Sequence, residues 1–142
     1  MAYQFKNLQI GDNDLIGNVF NGHNLHLYLR QKNIDSSHLV WNKESNDVNT
    51  FQIGQYRNNR DFLNAIVEDT QKQYSLNGIM NPFTYDILYS KLFLETDIVH
   101  LHVIHNLKFD LQLLPIMSRL KPIVWTIHDP WALTGHCIEH FD

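Results

Sequence analysis

The stretch Asp97-Ile98-Val99-His100-Leu101-His102-Val103-Ile104 decides how the rest of the chain is read. It is a short apolar run, typical of a strand buried on both faces of a parallel sheet. Phe109, Leu113, Ile116, Met117 and Leu120 follow as a helical stripe. Lys121-Pro122 ends that helix, because proline brings no amide proton and crowds the preceding turn. A second β-rich run, Ile123-Val124-Trp125-Thr126-Ile127, comes directly after it. Strand, helix and strand in this order form a βαβ unit, whose long crossover makes the two strands parallel. The fold class is therefore α/β.

Working back toward the N-terminus, residues Gln4–Ile10 carry enough apolar and aromatic character for a first strand, closed by Gly11-Asp12-Asn13-Asp14. Leu25, Leu27 and Leu29 alternate as in a strand, yet Leu25, Tyr28, Leu29 and Lys32 also share a helical face. Context favours helix, with Asn21 as its cap and Gln31-Lys32-Asn33 as a polar end. Ser37–Trp41 reads as a second strand. The polar stretch Asn42–Asn59 offers Phe51 and Ile53 as edge-strand contacts. Asp61 is placed to cap a helix bearing Phe62, Ala65, Ile66 and Asp69. Asn81-Pro82 starts another, with Phe83, Ile87, Leu88 and Leu92 at helical spacing.

The whole chain has 142 residues, 44% hydrophobic and 18% charged, which suits one globular domain with a real core. Eleven Lys+Arg against fifteen Asp+Glu leave a formal net charge of −4, so no basic stripe exists for a nucleic-acid backbone. No apolar run reaches the ~18 residues of a spanning helix, and the first residues lack a signal peptide's apolar segment. Cys137 is the single cysteine, which excludes an intrachain disulfide and suits a reducing compartment. The expected location is cytoplasmic.

Chemistry-bearing residues cluster where a parallel sheet would gather them. Ligands of open α/β sheets bind outside the carboxyl ends of the strands. His105 and Asn106 lie just past one strand and His128 and Asp129 just past the next, while Gly17, Asn18, Asn21 and Gly22 follow the first. That loop lacks the dinucleotide G-x-G-x-x-G; it is either a plain turn or a contact to phosphate or hydroxyl. His100 and His102 share one strand face and read as core histidines hydrogen-bonded to neighbouring backbone. A carboxylate beside an imidazole can orient it, which makes the His128-Asp129 pair a candidate. Trp131 either covers the core or stacks on a sugar ring. His136, Cys137 and His140 are weak metal-ligand candidates, since they lack the two-plus-two spacing of structural zinc sites. No nucleophile elbow occurs. Two rival classes stay open: a histidine-rich metal-dependent hydrolase using His100, His102, His128 and His136, and a non-catalytic α/β binding module.

The string Trp125-Thr-Ile-His-Asp-Pro-Trp-Ala-Leu-Thr-Gly-His-Cys137, preceded by Asp97-Ile-Val-His-Leu-His-Val103, resembles the N-terminal half of family-four retaining glycosyltransferases. Gly17–His26 and Ser37–Ser45 are similar to segments at equivalent places in one subgroup, and residues 42–95 match only loosely. The resemblance implies a Rossmann-like parallel sheet with helices on both faces, as in the acceptor-side domain of a GT-B enzyme of polysaccharide or capsule synthesis. It implies that residues 1–142 are one incomplete N-terminal domain, inactive without a C-terminal domain that grips the nucleotide sugar. Under that reading His128 and Asp129 are catalytic, with Asp129 orienting His128 or binding acceptor. Gly17, Asn18, Asn21, Gly22, His105, Asn106, Trp131, Thr134 and Gly135 contact substrate. No cofactor is implied beyond the nucleotide-sugar donor as substrate. The implied partners are that donor and a saccharide or lipid-linked acceptor. The expected surroundings include peripheral contact at the inner membrane face and self-association through an unpaired sheet edge.

Overall fold

The computed structural model describes residues 3–76, 78, 80–105 and 109–134. Five strands form one all-parallel sheet: β1 (Lys6–Asn13), β2 (Asp35–Asn42), β3 (Thr50–Gln52), β4 (Ile98–Leu101) and β5 (Ile123–Trp125), in the order β3-β2-β1-β4-β5. The helices are α1 (His23–Gln31), α2 (Arg60–Tyr74), α3 (Tyr85–Tyr89), α4 (Lys91–Glu95), α5 (Leu114–Leu120) and α6 (Trp131–Thr134), with 3₁₀ turns at Pro82–Thr84 and Leu111–Leu113. The arrangement is that of a Rossmann-like α/β domain. Among the described residues no helix is long and apolar enough to cross a membrane.

The two faces of the sheet differ in chemistry. Leu8, Ile10, Leu39, Trp41, Val99 and Leu101 join Phe83, Ile87, Phe93, Leu113 and Met117 in one apolar core. The alternate positions Gln9, His38 and His100 lie side by side in register, so they project together from the opposite face. There His38 meets His23 and His26 of α1. β4 is thus not apolar on both faces: Val99 and Leu101 point into the core, and the imidazoles of His100 and His102 occupy the other side.

Other boundaries shift for local reasons. β1 continues through Gly11 to Asn13 because its backbone still pairs with β2, at Gly11↔Val40 and Asn13↔Asn42. Gly22, with φ of 84°, occupies the N-cap position of α1, and Asn21 supplies no cap. Asn59, not Asp61, precedes the first turn of α2. The buried residues of α2 are Val67 and Gln71, whereas Phe62 and Ile66 face solvent. Two anchors set that rotation. Arg60 donates to the carbonyls of Ile53 and Trp41 at 2.9 and 2.7 Å, and the Gln71 amide donates to the Met80 carbonyl.

Asn81 accepts from the Phe83 amide at 3.1 Å and starts the next helical segment as expected. The segment then breaks at Ser90, whose backbone is extended and whose hydroxyl accepts the Phe93 amide. The expected stripe from Phe109 to Leu120 is only partly helical: Phe109 precedes the 3₁₀ turn, Leu113 ends it, and α5 starts at Leu114. Phe109, Leu113 and Met117 are buried, but Ile116 and Leu120 remain exposed.

Candidate functional site

Three connections meet at the carboxyl edge of the sheet. Strand-like bonding persists past the strand ends: the His102 amide donates to Ile10 O at 3.0 Å, and Thr126 N to Leu101 O at 2.9 Å. This seats His102 and His128 in neighbouring positions, their rings stacked at 6.0 Å between centroids. Phe20, from the loop after β1, meets the exposed ring of His128 edge-on at 5.4 Å. His102, His105, His128, Asp129 and Trp131 line a void of about 10 Å³, the scale of one water-sized oxygen.

His102 is the deepest member of this group, 4% exposed. Its Nε2 lies 2.6 Å from Oε1 of the wholly buried Gln9, so Nε2–H donates and Nδ1 keeps its lone pair. Burial, followed by the neighbouring His100, His128 and His38, pushes the His102 imidazolium down to about 3. His100 is also lowered, by burial and then His128, and its Nε2 meets Thr126 Oγ1 at 2.6 Å. His102 is thus buried and His100 half-buried, and each is bonded at Nε2 to a side chain and not to the expected backbone.

The expected pairing of Asp129 with His128 is not formed. Asp129 Oδ1 accepts the Trp131 amide at 2.9 Å and Oδ2 sits 3.4 Å from His105 Nε2. The turn after β5 directs the carboxylate at the start of α6, where it faces His105 and the Trp131 amide instead of His128. Trp131 resolves the other way from a sugar platform: it is 7% exposed and its ring is stacked on His105 at 5.2 Å. Its face is spent on packing.

The loop after β1 turns its polar groups inward. Asn21 accepts the Asp12 amide at 3.0 Å and donates to the carbonyls of Ile16 and Gly17. The amides of Phe20 and Asn21 bond to Gly17 O, and that of Asn24 to Asn18 O. An anion cradle needs such amides free, so Gly17, Asn18 and Asn21 form a braced turn. Gly22 serves packing: a Cβ there would stand 2.5 Å from the His102 ring. Thr134 closes α6, its amide on Pro130 O. Asn106, Gly135, His136, Cys137 and His140 lie outside the described residues. Among the described residues no group of three or more His, Cys, Asp or Glu side chains is placed to hold a metal ion.

A second imidazole cluster was not marked by the sequence. His23, His26 and His38 pack ring against ring at 5.5 to 6.3 Å between α1 and β2. His38 Nε2 donates to Asn21 O at 2.9 Å, and burial holds its imidazolium down at about 3. His26 bridges Ser36 Oγ and Asp47 Oδ2, each at 3.0 Å. Side chains connect the two clusters: His102 to Gln9, Gln9 to Asn7, Asn7 to Ser36, and Ser36 to His26. The shared face of His100 and His102 was readable from the sequence, but the strand order that brings Gln9 and His38 beside them was not. Phe20 carried no signal.

No protein-family model matches this chain, and no curated protein or solved structure is significantly similar to it.

Proposed function

We propose that the chain is the acceptor-binding part of a retaining glycosyltransferase, which moves a sugar from a nucleotide-sugar donor to a saccharide or lipid-linked acceptor. The observation that carries this reading is the meeting of His128, His102 and Phe20 at the carboxyl edge of a parallel sheet, where α/β folds bind ligands. The string Trp125–Cys137 supports it independently through its resemblance to that family. Transfer with retention passes through an oxocarbenium-like state, so fixing the sugar hydroxyls matters more than a strong base. His128 is the exposed polar group of the cluster and is assigned the hydroxyl contact near the transferred sugar. Phe20 supplies an exposed aromatic edge beside it. Asp129 is a positioning group for the α6 turn, through the Trp131 amide that it accepts.

The test has two parts. Methyl glycosides titrated into the isotope-labelled chain are expected to shift the resonances of His128 and Phe20. Nucleoside diphosphates alone are expected to leave them unmoved, because the donor is gripped elsewhere. In an active sugar-transfer preparation of this protein, His128→Ala is expected to lower transfer by roughly 100-fold while the fold survives, since the side chain is exposed. Normal transfer by a folded variant would overturn the assignment of His128.

A further inference from the structure

We propose that His102 reads a ligand hydroxyl at this site: its Nδ1 lone pair accepts a hydrogen bond from one O–H of the bound saccharide, and Gln9 holds the ring in the tautomer that makes this possible. The inference rests on the saccharide reading above and adds to it a specificity-determining residue. Its starting point is an orphaned atom. Among the described residues, His102 Nδ1 is buried and has no hydrogen-bond partner. A buried acceptor left without a donor is disfavoured, so a site that contains one is complementary to a group that brings an O–H or N–H.

The tautomer follows from the neighbours. Gln9 Oε1 can only accept, so Nε2 of His102 carries the proton and Nδ1 carries the lone pair. Gln9 cannot readily turn, because its amide nitrogen donates to Asn7 Oδ1, which also accepts from Ser36 Oγ. Gly22 closes one side of the ring at a distance no side chain would tolerate, and His100 lies 4.2 Å from it on another. His102 therefore has one orientation, one tautomer and one unpartnered acceptor, and the residue lines a void together with His105, His128 and Asp129. That void has room for a single oxygen, which is the size of a hydroxyl. A neutral imidazole held this way accepts a hydrogen bond and does not take the proton, so its role is selection among sugars.

The experiment is nitrogen-15 spectroscopy of the histidine side chains together with binding of methyl glucoside, methyl galactoside and their monodeoxy derivatives. In the free chain His102 is expected as the Nε2–H tautomer; an Nδ1–H tautomer overturns the inference before any ligand is added. On binding, the Nδ1 resonance is expected to move, and one monodeoxy derivative to bind about 10- to 100-fold more weakly. His102→Asn keeps an acceptor near Nδ1 and is expected to retain that discrimination. His102→Gln keeps only the Gln9 contact and is expected to lose it, so the pair separates recognition from packing. Glycosides that bind at His128 without moving Nδ1, and with discrimination intact in His102→Gln, would defeat this inference and leave the saccharide reading standing. Glycosides that move no resonance of the site would defeat both.

Discussion

Gly22 joins the backbone, the core and the site in one residue. Its φ of 84° lies in the left-handed region, and a Cβ would meet the His102 ring at 2.5 Å. Gly22→Ala is therefore expected to cost about 2–4 kcal/mol, from backbone strain plus overpacking against a ring that has no second position. Denaturant midpoints check this; a loss below about 0.5 kcal/mol would mean that the ring can move aside. The sequence offered Gly22 as a phosphate or hydroxyl contact, because glycine in a loop looks the same whether the close neighbour is a ligand or a side chain. The same ambiguity held for Trp131, which was legible as an aromatic near the site but not as one whose face His105 would cover.

Elements were legible where a single face is apolar and opaque where polar groups hold them. The strands around Val99 and Leu39 and the burial of Phe109, Leu113 and Met117 follow from apolar patterning alone. α2 does not. Its apolar residues Phe62 and Ile66 are on the outside, and Arg60, Leu63, Val67 and Gln71 form the inner stripe. Arg60 caps the ends of two strands by donating to Trp41 O and Ile53 O, and its guanidinium lies 4.1 Å from the Trp41 ring centroid. Arg60→Lys keeps the charge but loses the planar fork that reaches both carbonyls. It is expected to destabilise the domain by about 1–3 kcal/mol and to raise hydrogen exchange in α2 before the sheet. Equal exchange rates in variant and parent α2 would refute the anchoring role.

At the scale of the whole molecule, the imidazole face makes stability depend on pH. In the folded chain His38 and His102 hold imidazolium values near 3, against an ordinary 6.5. Between those values the unfolded chain binds more protons, so the stabilisation is complete above 6.5 and is lost as pH falls. Each histidine adds a slope of up to about 1.4 kcal/mol per pH unit. Asp14, which burial pushes up but a side-chain hydrogen bond from Ser45 and the amides of Glu44, Ser45 and Leu15 bring down to about 2, adds a further loss with the same sign below its ordinary 3.8. Unfolding midpoints at pH 7, 6 and 5 are expected to fall steadily, and more shallowly in His102→Asn. A flat profile over that range would show that the two rings are solvated when folded.

By itself the sequence determined the class of fold. A βαβ pattern with apolar runs and a proline break admits few arrangements, because short connections and parallel pairing are local consequences of spacing. It also determined that the loops after three strands would gather at one edge. The tertiary structure alone decided what those loops do there. Strand order β3-β2-β1-β4-β5 sets Gln9 between His38 and His100 and brings Gly22 against His102. The turn after β5 gives Asp129 to His105 and Trp131, and not to His128. Which polar group meets which depends on register between segments up to 93 residues apart, and no local pattern encodes that register.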